Sequence, residues 1–198
     1  RRPDMQKSLI NRSKFMNYLR NYMSQRDFIE VETPILTASS PEGARDFIVP
    51  SRKHQGAGFA LPQAPQLFKQ MLMVSGLEKY FQIAKCFRDE DLRKDRQFEF
   101  TQLDVEQSFI SQEELFSFVE DLIISSFRDI YGIEIEGEIK HIPYHEAMDK
   151  YGCDKPDLRI KLDELVDITE LSKGCGFGVF ANNAKSGGLI KGLRLQNG

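Results

Sequence analysis

The stretch FRDEDLRKDRQFEFTQLD, residues 87–104, contains a highly charged segment, Arg88–Gln97, between two more apolar ones. Residues 80–87 before this segment and residues 98–109 after it contain several of the aromatic and β-branched residues that favour strands. Long strands on either side of a charged loop are typical of an antiparallel pair. The sequence therefore predicts an antiparallel strand pair joined by a charged loop.

Two helices are predicted upstream of this pair. Residues 4–26 carry one apolar stripe, because apolar side chains recur there at spacings of three, four or seven: Met5, Leu9, Met16, Leu19 and Met23. Residues 65–75 form the second helix. Pro65 suits its first helical position, and Gly76 suits the position just past its end.

Shorter strands are predicted between these two helices. Residues 28–34 carry Phe, Ile and Val, and Pro34 ends this strand or places it at an edge. Residues 38–46 contain Ser, Pro and Gly and are predicted to form a loop. Residues 47–49 and 59–61 are short apolar strands, and the polar, Gly-containing stretch between them indicates a hairpin.

A third helix follows the long strand pair. Ser111 and Glu114 form a capping box, the pattern in which a serine and a glutamate three residues later cap a helix start. The apolar repeat then continues to a helix end near Gly132. After residue 150 the chain carries more Gly and only short apolar runs, which indicates the start of a separate small domain. Together these elements predict an α+β fold, with helices packed on a mainly antiparallel sheet.

Composition is that of an ordinary globular protein. Hydrophobic residues make up 40% of the 198 residues and charged residues 29%, and no apolar run reaches the ~20 residues of a membrane helix. The cysteines, Cys86, Cys153 and Cys175, are far apart and form no metal-binding or disulfide pattern. A reducing, cytoplasmic setting fits this cysteine usage. The net charge of −3 gives no global attraction to nucleic acid but allows a local basic patch.

Three parts of the chain together indicate one known family. They are FIEVETPIL (residues 28–36), the segments SPEGARDF and LPQAPQLFKQ (residues 40–47 and 61–70), and the stretch 87–104. Together they resemble the class II aminoacyl-tRNA synthetases of the bacterial aspartyl type, in which the first corresponds to motif 1 and the last to motif 2. The motif 2 match is long, and the Gln-rich segment 63–70 separates the aspartyl type from its close relatives.

The resemblance implies a domain organisation. Residues 1–160 resemble the first part of the class II catalytic domain, and residues 161–198 resemble the beginning of the bacterial-type insertion domain. The family's anticodon-binding barrel and its motif 3, which ends in an ATP-binding arginine, have no counterpart in this sequence. We therefore expect a catalytic-domain fragment that is inactive alone and forms a homodimer through the motif 1 region.

The implied reaction has two steps. The α-carboxylate of L-aspartate attacks the α-phosphate of ATP, and a tRNA 3′-terminal hydroxyl then accepts the aspartyl group. Because the first step brings two anions together, it needs a guanidinium that binds carboxylate and phosphate oxygens through paired hydrogen bonds. By resemblance Arg88 has this catalytic role, although composition alone would make it a surface arginine. The resemblance also implies that ATP contacts Arg88, Asp89, Glu90, Gln97 and Phe100.

Phe100 is expected to stack on adenine, an interaction worth roughly 1–3 kcal/mol. Strand alternation does not fix which face of the sheet Phe100 occupies, so a position in the hydrophobic core is the alternative.

The resemblance also implies an aspartate pocket that includes Arg88. Lys69 and Gln66 lie three residues apart, hence on one face of the predicted helix. A lysine aimed into a pocket selects a side-chain carboxylate, since neutral asparagine would leave the buried charge poorly paired. Glu42 is expected to hold the α-ammonium group, and Asp104 is a further candidate. Without the family match, Lys69 and Glu42 would be solvated surface residues.

The motif 2 loop carries cations that, by resemblance, contact the acceptor end of tRNA: Arg93, Lys94 and Arg96. The alternative is a solvated loop, because neighbouring acidic residues largely cancel its charge. No metal ligand is predicted, since the histidines share no metal-ligand spacing with the cysteines. ATP chemistry implies Mg²⁺, whose ligands are expected in the part of the family's catalytic domain that this sequence lacks.

Two other functions are compatible with these residues. One is an asparagine synthetase related to the same family, which would pass the adenylate to ammonia. The long motif 2 loop and the start of a bacterial-type insertion argue against it. The other is a non-catalytic, synthetase-like binding module, which the missing motif 3 would permit.

Overall fold

The computed structural model describes residues 1–40, 43–159 and 164–194. The chain divides into two compact units, Arg1–Glu136 and Gly137–Gly198. Within the described ranges, no helix is long and apolar enough to cross a membrane. The predicted boundary between residues 1–160 and 161–198 falls at residue 160, outside the described residues, and it stays a prediction.

The first unit places helices and strands in the order that the sequence predicts. In chain order its elements are α1 (Pro3–Ser24), β1 (Ile29–Glu30), β2 (Ile48–Pro50), β3 (Gly58–Ala60), α2 (Gln66–Val74), β4 (Lys79–Phe87), β5 (Glu99–Gln107) and α3 (Gln112–Tyr131).

The central sheet has the strand order β1–β4–β5. β4 and β5 are antiparallel and pair along their whole length, from Lys79 opposite Gln107 to Phe87 opposite Glu99. β1 runs parallel to β4. The antiparallel pair predicted around the charged loop is therefore confirmed, and the whole chain is a mixed α+β structure.

Two predicted strands are longer than the observed ones. β5 stops short of Phe109, because that residue has a φ of 57° and turns the chain out of the extended conformation. β1 is also shorter than the predicted strand over residues 28–34. Beyond it the chain contacts β4 through a side chain, since the Thr33 hydroxyl donates to Gln82 Oε1 at 2.9 Å.

The predicted hairpin is confirmed as β2 and β3. These strands are antiparallel, with Ile48 opposite Ala60 and Pro50 opposite Gly58. A Cβ atom at Gly58 would lie 2.9 Å from the carbonyl oxygen of Val49. The close approach of the two strands therefore requires glycine at this position.

The ends of α1 and α2 differ from their predicted positions by at most two residues. Pro65 differs from the prediction, since its ψ of 38° is not helical and it is the residue before α2 instead of the first helical one. Gly76 follows α2 with a φ of 96°, as expected for the glycine past a helix end.

The capping box of α3 is confirmed in both directions. The Glu114 backbone N–H donates to Ser111 Oγ at 3.2 Å, and the Ser111 backbone N–H donates to Glu114 Oε2 at 2.8 Å. Gly132 ends the helix in the left-handed conformation, with a φ of 65°. Both ends of α3 are therefore determined by residues that are close together in the sequence.

α1 and α3 pack against one face of the sheet. The core of this layer contains Tyr22 and Met23 of α1, Phe28 before β1 and Phe81 of β4. Partly buried side chains extend it: Tyr18, Leu103, Val105, Phe118 and Leu122. Asp121 of α3 joins the helices further, because Tyr22 Oη and Arg26 Nη2 both donate to its Oδ2 at 2.6 Å. The opposite face of the sheet carries the polar residues of the candidate site.

The second unit is a small α+β structure. Its elements are α4 (Tyr144–Tyr151), β6 (Val166–Asp167), α5 (Thr169–Ser172), α6 (Gly178–Lys185) and β7 (Lys191–Gly192). β6 and β7 are antiparallel. The Ile168 backbone N–H donates to the Ile190 carbonyl at 2.9 Å, and Lys191 Nζ donates to the Asp149 carbonyl at 2.8 Å.

Candidate functional site

Alternation along β5 places four residues on the sheet face opposite α1 and α3. They are Phe100, Gln102, Asp104 and Glu106. Leu103 and Val105 point the other way, into the core. In the ladder, the four residues stand opposite Cys86, Ala84, Gln82 and Tyr80 of β4. This polar face of the sheet therefore carries mainly polar side chains, and its β4 residues Tyr80, Ala84 and Cys86 are buried.

Lys69 reaches this face from α2. Its Nζ donates to Asp104 Oδ1 at 2.9 Å and lies 3.1 Å from Glu106 Oε2. Lys69 is 9% exposed. Burial lowers the pKa of Lys69, but its bonds to Asp104 and Glu106 outweigh burial, so this pKa lies above its ordinary value. Lys69 is therefore a buried, charged ammonium group and not a solvated lysine.

The Lys69 cluster, defined here as Lys69, Asp104 and Glu106, has spare hydrogen-bonding capacity. An ammonium group has three donors, and the two carboxylates account for two of them. Asp104 Oδ2 is buried and accepts no hydrogen bond from the part of the chain that the structure describes. Tyr80 stands opposite Glu106 in the ladder, and its hydroxyl donates to Gln82 Oε1 at 2.8 Å. Burial, and then the charge of Asp104, raise the pKa of this hydroxyl. The cluster can thus bind a ligand with both an acceptor and a donor.

Arg88 follows the last residue of β4 and shares its face with Cys86. Its backbone N–H donates to the Phe98 carbonyl at 2.8 Å, which continues the ladder past the end of the strand. Its guanidinium carbon lies 5.0 Å from the centre of the Phe100 ring. Arg88 Nε is buried and makes no hydrogen bond within the described residues. The guanidinium is therefore held by an aromatic ring and retains a free donor.

Four of the five residues predicted to contact ATP line one cavity of roughly 440 Å³, a size typical of small-molecule sites. Its lining consists of Arg88, Glu90, Lys94, Asp95, Arg96, Gln97 and Phe100. Phe100 lies on the polar face of the sheet, with Asp104 and Glu106, and not in the core between the sheet and α1 and α3. Asp89 is not part of the lining. Its backbone pairs instead with Arg45 of the preceding loop.

The charged loop between β4 and β5 folds back on itself. The Arg96 backbone N–H donates to the Arg93 carbonyl at 3.1 Å, and Arg96 Nη1 lies 3.6 Å from Glu90 Oε1. Arg93, Lys94 and Arg96 are all exposed. Arg96 and Lys94 face the cavity, whereas Arg93 is outside its lining. The loop therefore presents cations at the mouth of this cavity.

Gln66 and Glu42 are the other two residues predicted to line the aspartate pocket. Gln66 begins α2, is half-buried and precedes Lys69 by about one helical turn. Glu42 lies outside the described residues, so its predicted contact with an ammonium group stays a prediction. Within the described ranges, no group of three or more His, Cys, Asp or Glu residues could hold a metal ion.

Two residues of this site were not assigned a role by the sequence analysis. Glu106 pairs with Lys69, and Gln63 is a buried side chain beside the site. The signal that could have identified Glu106 is its spacing of two from Asp104 on a predicted strand, which places both carboxylates on one face. Gln63 belongs to the Gln-rich segment 63–70 of the family resemblance, but the sequence did not indicate which residues it contacts.

Comparison with known proteins connects this geometry to a family. The family described as "tRNA synthetases class II (D, K and N)" matches residues 1–172. The Aspartate–tRNA(Asp/Asn) ligase of Symbiobacterium thermophilum is 52% identical over 99% of this chain and 33% of its own length. That of Moorella thermoacetica is 54% identical over 98% of this chain and 32% of its own length. The Aspartate–tRNA ligase of Exiguobacterium sibiricum is 53% identical over 99% and 33%, respectively. The chain thus spans about a third of the length of the curated relatives it matches.

Proposed function

This chain belongs to the class II tRNA synthetases of the D, K and N group, and on that premise we propose that it supplies the aspartate pocket and part of the ATP pocket of an aspartate–tRNA ligase. The observation that carries the proposal is the Lys69 cluster on the same sheet face as Arg88 and Phe100. A charged lysine with a free donor is suited to a substrate carboxylate.

The position of Arg88 supports its proposed role in the first step. An α-carboxylate oxygen of aspartate attacks the α-phosphorus of ATP, and the bond to the leaving pyrophosphate breaks. Arg88 lines the same cavity as Phe100, and it follows Cys86 on the sheet face that carries the Lys69 cluster. Its guanidinium can therefore contact the substrate carboxylate and the phosphate together, which offsets the repulsion between two anions.

The ATP end of the site is proposed on the cavity lining. Phe100 offers a ring for adenine, and Gln97 and Glu90 offer hydrogen-bonding groups beside it. The exposed cations Arg93, Lys94 and Arg96 are proposed to contact the tRNA acceptor end, where phosphates attract positive charge. In the second step the tRNA 3′-terminal hydroxyl attacks the aspartyl carbonyl, and AMP leaves.

The charge of the Lys69 cluster implies a further cation. One ammonium group and two carboxylates leave an excess of one negative charge before substrate binds. The side-chain carboxylate of aspartate would add another, which a mostly buried site does not tolerate without compensation. We therefore expect the whole protein to bring a second cation to this pocket from outside the residues described here.

Other properties of the whole protein follow the family and are proposed on that basis. They are the use of Mg²⁺ with ATP, homodimer formation through the motif 1 region and a cytoplasmic location. Residues 1–160 are proposed to belong to the catalytic domain and residues 161–198 to the beginning of the insertion domain. The small second unit contains residues 164–194, and it begins at Gly137, upstream of the proposed boundary.

The test is amino-acid-dependent ATP–pyrophosphate exchange by the full-length protein that carries this segment. Aspartate is expected to support exchange, and asparagine and lysine are not. The variant Lys69→Met is expected to reduce aspartate-dependent exchange by about a hundredfold or more. Lys185→Met, which removes an exposed lysine of the second unit, is the matched control and is expected to retain it.

The product of the second step separates this proposal from the related asparagine synthetase. Transfer of labelled aspartate to tRNA supports a ligase. Formation of free asparagine that depends on ammonia, without tRNA charging, would replace the proposal. Exchange that responds to lysine or asparagine and not to aspartate would remove the proposed role of Lys69.

A further inference from the structure

Gln63 is a buried polar residue outside the described lining of the ATP cavity. It is 3% exposed and lies between β3 and α2. Its Nε2 donates to the Ala44 carbonyl at 2.8 Å and to Asp46 Oδ1 at 2.6 Å. Its Oε1 accepts from the Ala44 backbone N–H at 3.2 Å. All polar atoms of this side chain are therefore used to hold one short segment, residues 44–46.

The held segment lies directly against the residue that follows Arg88. Arg45 pairs with Asp89 as an antiparallel bridge, in which the Asp89 backbone N–H donates to the Arg45 carbonyl at 3.0 Å. Their side chains also approach each other, with Arg45 Nε 3.7 Å from Asp89 Oδ2. The position of residues 44–46 therefore bears on the backbone just after Arg88.

The backbone beside Gln63 supports the residue that precedes Arg88. The Phe87 N–H donates to the Pro62 carbonyl at 2.9 Å. Hydrogen bonds thus form a closed circuit from Gln63 to residues 44–46, on to Asp89, back along the chain to Phe87, and through Pro62 to Gln63. Arg88 lies inside this circuit, between its two anchored neighbours.

The acidic end of the segment is held at a second point. Asp46 accepts a hydrogen bond from the Ser39 hydroxyl as well as from Gln63. The Ser39 bond first, and then the Gln63 bond, lower the pKa of Asp46. The Asp46 carboxylate is therefore ionised at neutral pH and accepts from both donors.

We propose that Gln63 is a positioning residue for Arg88: it fixes residues 44–46, and with them the turn that carries Arg88. This inference rests on the proposed function, because it assigns Gln63 a role in placing the guanidinium that is proposed to contact both aspartate and ATP. Arg88 has an independent backbone bond to Phe98. Residues 44–46 depend on Gln63 more directly. Loss of Gln63 is therefore expected to displace Arg88 partly and to weaken the binding of both aspartate and ATP.

The test compares Gln63→Leu with Gln70→Leu in the full-length protein. Leucine at position 63 keeps similar volume and removes all three hydrogen bonds, whereas Gln70 is an exposed glutamine of the same region. We expect the KM for aspartate and the KM for ATP in ATP–pyrophosphate exchange each to rise about tenfold in Gln63→Leu, because both substrates are proposed to contact Arg88. Gln70→Leu is expected to match the wild type. A purely structural role would lower the active fraction, hence kcat, and leave both KM values unchanged, which would overturn the proposal.

Hydrogen–deuterium exchange tests the same circuit without relying on catalysis. In Gln63→Leu, peptides that cover residues 43–47 and 88–90 are expected to exchange about tenfold faster, while peptides from residues 80–86 keep their protection. Unchanged exchange at residues 43–47 and 88–90 would overturn the positioning role. If the wild type shows no aspartate-dependent ATP–pyrophosphate exchange, the proposed function fails. The hydrogen–deuterium measurement still decides whether Gln63 fixes residues 44–46.

A swap of donor and acceptor gives a third readout. Gln63→Glu places a carboxylate 2.6 Å from Asp46 and is expected to raise the KM for aspartate at least as much as Gln63→Leu. Adding Asp46→Asn restores one donor–acceptor pair and is expected to recover part of that loss. A double variant no better than Gln63→Glu alone would contradict direct coupling of the two side chains.

Discussion

Replacing Lys69 with methionine should expose the energetic role of the buried charges. The variant leaves Asp104, whose side chain is 10% exposed, and Glu106, whose side chain is 31% exposed, without their shared cation. Removing one partner of a buried ion pair costs about 3–5 kcal/mol. Glu106 can regain part of its hydration, so we expect a loss near the lower end, about 3 kcal/mol.

The assay is urea unfolding of the 198-residue chain, followed by far-UV circular dichroism because the sequence has no Trp. With a slope of about 2 kcal/mol per molar urea, the midpoint should fall by roughly 1.5 M. Adding Asp104→Asn to Lys69→Met removes the more buried uncompensated charge and should recover about 1–2 kcal/mol. A Lys69→Met midpoint equal to that of the wild type would refute the reasoning, since the carboxylates would then not depend on Lys69.

The pH dependence of this difference has a definite sign. The pKa of Lys69 is raised above its ordinary 10.5 by Asp104 and Glu106, despite the opposing effect of burial. A raised pKa means that the stabilisation is fully present below pH 10.5 and is lost as the pH rises through the folded-state value. The difference in unfolding free energy between wild type and Lys69→Met should therefore shrink above pH 10.5, by up to about 1.4 kcal/mol per pH unit. A difference that stays constant to pH 11.5 would contradict the raised pKa.

Three further predictions address other parts of the first unit. Tyr22→Phe removes a partly buried hydrogen bond to Asp121 and should cost about 1–2 kcal/mol of unfolding free energy in urea. Tyr18→Phe removes an exposed hydrogen bond and should cost less than about 0.5 kcal/mol. Equal effects would contradict the difference in burial. Ser111→Ala removes the α3 cap and should cost about 1 kcal/mol in the same assay, and no loss would show that tertiary packing alone holds this helix end. Phe100→Leu in the full-length protein should raise the KM for ATP by about tenfold and leave the KM for aspartate nearly unchanged; the reverse pattern would remove Phe100 from the ATP pocket.

Elements with local determinants were the ones that the sequence predicted well. α3 has a capping box at one end and a left-handed glycine at the other, so nearby residues determine where it begins and ends. The β4–β5 pair has strong strand formers on both sides of a charged loop. In contrast, β1 is set by its parallel partner β4, which lies far away in sequence. Its true length could not be predicted, because parallel pairing depends on tertiary contacts and not on local preference.

The candidate site shows the same division. The residue types at Arg88 and Lys69, with the family resemblance, indicated where a guanidinium and an ammonium would be needed. The roles of Glu106 and Gln63 depend on contacts between residues that are distant in sequence. Glu106 pairs with Lys69, and Gln63 donates to Ala44 and Asp46. The spacing of Asp104 and Glu106 is visible in the sequence, but their pairing with Lys69, and that of Gln63 with residues 44–46, follow only from tertiary contacts.

The pairing of Lys69 with two carboxylates bears on how a pocket of this kind could distinguish aspartate from asparagine. A buried lysine without partners would tend to lose its proton, and a neutral amine would bind an amide as readily as a carboxylate. Asp104 and Glu106 keep Lys69 charged before any substrate arrives. They also occupy two of its donors and leave the cluster with excess negative charge. In the proposed reaction, selectivity therefore requires both the remaining donor of Lys69 and a second cation. A substrate carboxylate satisfies both, whereas a neutral amide would leave the second cation without a counter-charge.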